Sequence, residues 1–264
     1  MNKDEQNQLS ISVPGEWAVK KLLGPALDEV GSDLQKLYSI GRDKILAVAL
    51  RKSNVDDGKK ANLRVTRDVF WNGSFTDEAI CAEYFGGILA ASRSEDGKDD
   101  SGVFYVDIIK SLSSGQLKMH YLIYRTLNKE LAANEDKKSI NPGQETELVR
   151  EKLFIPIMGI IEQFNNEDLG SILHGLNSKG LIGDFQTENH KLEDDKTVPY
   201  LRVQPKTLGV QLFAIANNRF VDWRKFPMED FGDFEGVILP TIYAPALDEM
   251  LKRAGLQKDE TKST

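Results

Sequence analysis

Between Ser74 and Arg93 the chain reads SFTDEAICAEYFGGILAASR, and this stretch constrains the fold more than any other. Ile80, Tyr84 and Ile88 recur every four residues, with Cys81, Phe85 and Leu89 beside them. That spacing makes an apolar stripe wide enough to bury one whole side of a helix. Ser74 followed by Asp77 predicts a capped start, with a carboxylate where the positive end of the helix dipole favours it. Gly86 and Gly87 fall inside the pattern. Each costs about 1 kcal/mol relative to Ala in a helix interior, so a close approach is expected there. The visitor is either another helix backbone or a ligand or partner lying on the bare surface.

The acidic segment that follows, SEDGKDDSG over residues 94–102, is bounded by glycine and can be tested as a metal loop. Placing Gly97 at the sixth position of a calcium-binding loop puts Ser92 first and Val103 last, where carboxylates are required. The template fails. Asp96 and Lys98 have the spacing of a nuclease acid-x-lysine pair, but they lie in a turn and not on a strand. A solvated turn without a metal is the expectation.

The chain has 264 residues, enough for a large core in one or two domains. Its net charge of −7 gives no encouragement to general nucleic-acid or anionic-membrane binding. The single cysteine, Cys81, excludes an intramolecular disulfide and fits a reducing compartment. The first ten residues, MNKDEQNQLS, lack the apolar core of a signal peptide. The longest near-apolar run, residues 153–161, is too short to span a bilayer. A cytoplasmic protein with no membrane span is expected.

Residues 1–11 read as a flexible polar tail and 12–112 as a helical region. Ser12-Val13-Pro14 has the form of a helix start. Leu23, Leu27, Val30, Leu34 and Leu37 then step by four, three, four and three, which predicts a long amphipathic helix interrupted near Gly41. Residues 53–60 form a polar break. Leu63 to Trp71 is a short helix flanked by Arg64 and Arg67, and Val103 to Leu112 is another.

Three segments together resemble the abortive-infection alpha family, bacterial proteins related to phage-exclusion factors. They are LLGPALDEVGSDL near the start, EAICAEYFGGILAASR, and VFYVDIIKSLSSGQLKMHYLIY, in which Phe104, Ile108, Ile109, Lys110, Leu112 and Ser113 carry the likeness. The resemblance runs over roughly residues 20–215 and implies a role in defence against phage, without a settled chemistry. The double glycine and the acidic loop depart from the commoner members.

Residues 113–218 read as a winged-helix-like module. Ser113 with Gln116 is a capping box, opening a helix whose Leu117, Tyr121, Tyr124, Leu127 and Leu131 share one face. Residues 132–144 form a polar loop. Val149 to Phe164 has helical spacing with a kink expected at Pro156. Leu169, Ile172, Leu173 and Leu176 predict a helix ending at Gly180. Strand-like runs Leu181–Thr187 and Val198–Val203 flank a charged turn, and a helix opens at Thr207. From Glu167 to Tyr200 there are seven acids (Glu167, Asp168, Asp184, Glu188, Glu193, Asp194, Asp195) and three bases (Lys179, Lys191, Lys196), a difference of −4. DNA affinity comes largely from neutralising phosphates, so contact with protein is the better expectation for this face.

Residues 219–264 form an aromatic-rich extension. Phe220, Trp223, Phe226, Phe231 and Phe234 occupy fifteen residues, and such rings dominate an interface where a partner receives them. Some of them are expected to touch a second chain, either a copy or a partner; the competing expectation folds all five onto the core. A last helix is predicted over residues 241–253.

No catalytic centre is legible. The glycine pairs 170/175 and 175/180 are followed by Leu-Asn and Leu-Ile, so neither is a phosphate-binding loop. His120, His174 and His190 sit on three elements without metal-ligand spacing, and His120 and His174 are expected at helix edges. No cofactor is implied, and Asp68, Glu83 and Arg93 would have to converge in space to make an acid–base site. The sequence therefore predicts a mainly α-helical protein in which a helical N-terminal region precedes a winged-helix-like module with a small β-hairpin. Its expected function is phage defence through protein contacts, with Gly86, Gly87, Trp223, Phe226, Phe231 and Phe234 as interaction candidates. The alternatives are a winged-helix DNA-binding regulator and a metal-dependent hydrolase.

Overall fold

The computed structural model describes residues 27–54, 57–75, 78–133, 139–140, 152–164, 168–192, 196–237 and 243–256, and omits the side chains of 27–34. The predicted helix start at Ser12 and the tails lie outside the described residues. The chain is mainly helical with two small antiparallel sheets. Among the described residues no helix is long and apolar enough to cross a membrane.

The first half is built around three helices. α1 (Leu27–Lys52) runs unbroken through Gly41, which does not interrupt it as expected. Gly41 lies against the Ser74 backbone instead, where a Cβ would meet the Ser74 carbonyl oxygen at 2.1 Å. α2 (Leu63–Gly73) is capped by Asn62, whose side chain accepts from the amides of Arg64 and Val65. α3 (Ala79–Ala91) is the central helix, buried along nearly its whole surface. Ser74 does not open α3 as predicted. It closes α2, donating its amide to Phe70 O at 3.1 Å, while Glu78 precedes α3 and Asp77 lies outside the described residues. The reason is distance: four residues are needed to turn from one helix into the next.

A two-residue ladder, β1 (Lys60–Ala61) with β2 (Arg93–Ser94), ties the ends of α2 and α3 together. α4 (Gly102–Ile109) leads into α5 (Ser114–Ala133), and the predicted capping box is present. The Ser113 amide donates to Gln116 Oε1 at 2.9 Å, and the Gln116 amide donates to Ser113 Oγ at 3.1 Å.

After α5 the structure departs from the predicted kinked helix. Residues Leu153–Pro156 form a strand, β3, followed by 3-10 turns at Ile157–Gly159 and Ile161–Phe164. An apolar run of this length is ambiguous between helix and strand. Pairing decides it: β3 joins β5 (Thr197–Pro205), which also pairs with β4 (Ile182–Lys191), giving the antiparallel order β3-β5-β4. Pro156 ends β3 without interrupting a helix, and Phe154 exchanges both backbone hydrogen bonds with Ala244 on the other edge. α6 (Leu169–Ser178) packs between α5 and β4, capped by Asp168, which accepts from the Ser171 amide. α7 (Thr207–Ala216) crosses α3, and α8 (Leu247–Arg253), shorter than predicted, packs on β3.

One buried apolar cluster runs from Ile45 on α1 to Phe234, so the two halves of the chain share a core. A smaller cluster of Tyr200, Ala244, Met250 and Leu251 seats α8 on the sheet.

Candidate functional site

The two candidate glycines of α3 are helix-crossing positions. A Cβ on Gly87 would lie 1.8 Å from the carbonyl oxygen of Ala216 on α7, and one on Gly86 would lie 2.8 Å from Ile45 O on α1. Two helices therefore approach α3 within backbone contact at adjacent residues, and neither glycine has surface left for a ligand.

The aromatic extension is also interior. Phe226 is fully buried, Phe234, Phe231 and Trp223 are nearly so, and Phe220 packs at the core's edge. The expectation that some of these rings meet a second chain is corrected on that ground: their apolar area already lies in this chain's own core. Phe213 of α7 organises them, with the rings of Phe226, Phe231 and Phe234 all about it and Phe234 stacked on Tyr121 at 4.3 Å.

α5 fastens the extension through polar groups that the sequence did not mark. The buried Arg125 donates from Nε to Asp233 at 2.7 Å and from Nη1 to Asp230 at 2.6 Å. One turn on, Asn128 donates to the carbonyls of Phe226 and Glu229 and accepts from the amide of Phe231. The hydrogen bond from Arg125 holds the Asp233 carboxyl down to about 2. This is a structural clamp, and its carboxylates are engaged in holding the chain.

Two more buried polar clusters sit around α3. His120, expected at a helix edge, is completely buried. Its Nε2 lies 3.2 Å from the Gly209 carbonyl, which can only accept, so that nitrogen carries the proton. Nδ1 then accepts from the Tyr84 hydroxyl at 2.5 Å. Burial pushes the imidazole down to about 3, against the opposing effect of the Gly209 hydrogen bond. The second cluster is Glu83, buried on α3 and paired with Lys52 at 2.5 Å and with Arg51. Lys52 also donates to the carbonyls of Ala216 and Glu83, and burial pushes its ammonium down to about 8 despite Glu83. Asp68, Glu83 and Arg93 do not converge. Asp68 pairs with Arg67 and Arg93 with Asp57.

His120 makes a pH prediction with a definite sign. Its folded pKa lies below the unfolded value near 6.5, so between pH 6.5 and about 3 only the unfolded chain takes up this proton. Its contribution is complete above pH 6.5 and is lost as pH falls, at about 1.4 kcal/mol per pH unit. Denaturant midpoints from pH 6.5 to 4.5, above the range where Asp233 titrates, are expected to fall more steeply for the parent than for His120→Gln. Equal slopes would contradict the assignment.

The acidic loop is an ordinary turn. Asp96 accepts from the amide of Lys98 at 3.1 Å, Gly97 takes a left-handed φ of 69°, and Asp100 pairs with the exposed Arg64. Among the described residues no group of three metal-ligating side chains is close enough to hold an ion. Neutralising Asp96, Asp99 and Asp100 together is expected to change stability by about 0.5 kcal/mol or less. Magnesium and calcium are expected to leave the melting curve of the parent chain in place. A metal-dependent rise that the triple variant loses would restore the hydrolase alternative.

What stays exposed is the outer face of α6 and the β4–β5 hairpin. α6 presents Ser171, His174, Asn177, Ser178 and, at its end, Lys179. His174 lies edge-on to Phe185 of β4. On the hairpin Gln186, Thr187, Glu188 and Asn189 are exposed in succession, and Arg202 of β5 sits 3.9 Å from Glu188. A shallow, mostly apolar pocket of about 430 Å³ opens between Pro156, Met158, Val198, Pro199 and Leu256. The chain matches no protein-family model, no curated protein and no solved structure.

Proposed function

We propose that the chain is a bacterial phage-defence protein of the abortive-infection kind, acting in the cytoplasm through protein–protein contacts, and that its second half is a winged-helix module. The order helix, strand, turn, helix, hairpin with strands arranged β3-β5-β4 supports the module. In that arrangement α6 stands where a recognition helix would and the hairpin where a wing would. Fold alone does not assign a target.

The observation that carries the protein-contact reading is the solvent face of α6. It is uncharged apart from Lys179, is opened by the carboxylate of Asp168, and stands beside a hairpin carrying Glu188 and, in sequence, Glu193, Asp194 and Asp195. Phosphate binding needs several matched cations, whereas a polar, weakly charged face suits another protein. The phage role rests on the likeness carried by Phe104, Ile108, Ile109, Lys110, Leu112 and Ser113.

Expression of the chain in a bacterial host is expected to lower plaque formation by about tenfold or more for at least one phage of a broad panel. Ser171→Arg with His174→Glu, both exposed, is expected to abolish the protection while leaving the melting midpoint in place. Unchanged plating across the panel would contradict the defence role. Protection that survives the double variant would move the contact surface away from α6.

A further inference from the structure

One apolar surface is left over at the other end of the molecule. Along α1 the stripe that packs on the body contains Gly41, Ile45 and Val48, with Ile45 and Gly41 in close contact with neighbouring elements. Leu37 falls one turn earlier on the same line, yet it is 45% exposed, and Ile40 beside it is 51% exposed. At the end of α2, Trp71 (56%) and Phe75 (48%) are exposed as well, and Phe75 meets Tyr38 of α1 at 5.5 Å. Large apolar side chains left open side by side mark an interaction surface.

We infer that this surface is the seam of a symmetric dimer in which the first halves of two α1 helices pack antiparallel. The sequence identifies the occupant. Leu27, Val30, Leu34 and Leu37 are spaced three, four and three, the repeat of a helix seam. That spacing is the same read from either end. A two-fold axis at Ser32 sets Leu27 of one copy opposite Leu37 of the other and Val30 opposite Leu34. The same register sets Asp28 opposite Lys36, an attractive pair in both halves of the interface. Gly31 and Ser32, the smallest side chains of the stretch, fall at the axis, where two backbones come closest. A parallel pairing would set Asp28 on Asp28 and Lys36 on Lys36 and would repel. An isologous contact of this kind closes at two copies.

The surface is separate from α6 and the hairpin, so the dimer does not depend on the function proposed above. Sedimentation equilibrium of the full chain over a concentration series is expected to give twice the 29.6 kDa chain mass at the upper end. Leu37→Asp is expected to return the mass to 29.6 kDa without shifting the monomer's melting curve. Lys36→Glu is expected to weaken association about tenfold at low salt, and adding Asp28→Lys to that chain is expected to restore it. A chain that stays monomeric throughout, a dimer that survives Leu37→Asp, or a double charge reversal that fails to restore pairing would each overturn the inference.

Discussion

Gly87→Ala is expected to destabilise the chain by about 3 kcal/mol or more, the upper end of what one added carbon costs in a packed interior. The magnitude follows from what the new atom meets. Its Cβ would lie 1.8 Å from the carbonyl oxygen of Ala216 and 2.4 Å from the carbonyl carbon. Both belong to the backbone of α7, so no side chain can swing away and the helices must separate. Separation would also disturb Lys52, which donates to that same carbonyl at 2.8 Å. Gly86→Ala meets the Val48 side chain at 2.7 Å and Ile45 O at 2.8 Å, and a smaller loss of about 1–2 kcal/mol is expected. Gly159, which has open space where a Cβ would stand, is the control, with an expected change of about 0.5 kcal/mol or less. Denaturant midpoints order the three variants. A Gly87→Ala chain as stable as the parent would mean that the α3–α7 crossing is not as close as the structure places it.

The second large effect is expected at Phe226. This ring is fully buried against Phe213, Phe231 and Tyr124. Phe226→Ala is therefore expected to cost about 3–5 kcal/mol, through lost transfer energy and the cavity left behind. Truncation after Asn218 is expected to go further and unfold the chain, because it removes Phe226, Phe231 and Phe234 and strands Arg125 and Asn128 without partners. Circular dichroism of the truncated chain separates the core role from an interface role. A folded truncated chain of altered association state would return these rings to the surface.

The elements that the sequence made legible are those where a local signal and the tertiary packing agree. The Ile80–Tyr84–Ile88 stripe, the Ser113–Gln116 box and the two runs around the charged turn at 189–197 all stand as helix, cap and hairpin. β3 was not legible, because Leu153 to Pro156 is apolar at every residue and has no period of its own. Only its partners, Val203 to Tyr200 on one side and Ala244 on the other, make it a strand. Ser74 misled because a capping side chain near a helix boundary does not say whether the helix lies before or after it. The aromatic run 220–234 posed a different problem. Rings that fill a core and rings that fill a partner's pocket have the same composition, and burial alone separates them. His120 was placed at an edge because its burial depends on Gly209, eighty-nine residues away and visible only in the fold.

Duplex-DNA binding by the full chain, followed by fluorescence anisotropy near physiological salt and again at lower salt, bears most directly on the protein-contact function. With an acidic hairpin and a single lysine on the face of α6, no binding in the micromolar range is expected at about 0.15 M salt. Tight binding that weakens steeply as salt rises would contradict it and make the module a DNA reader.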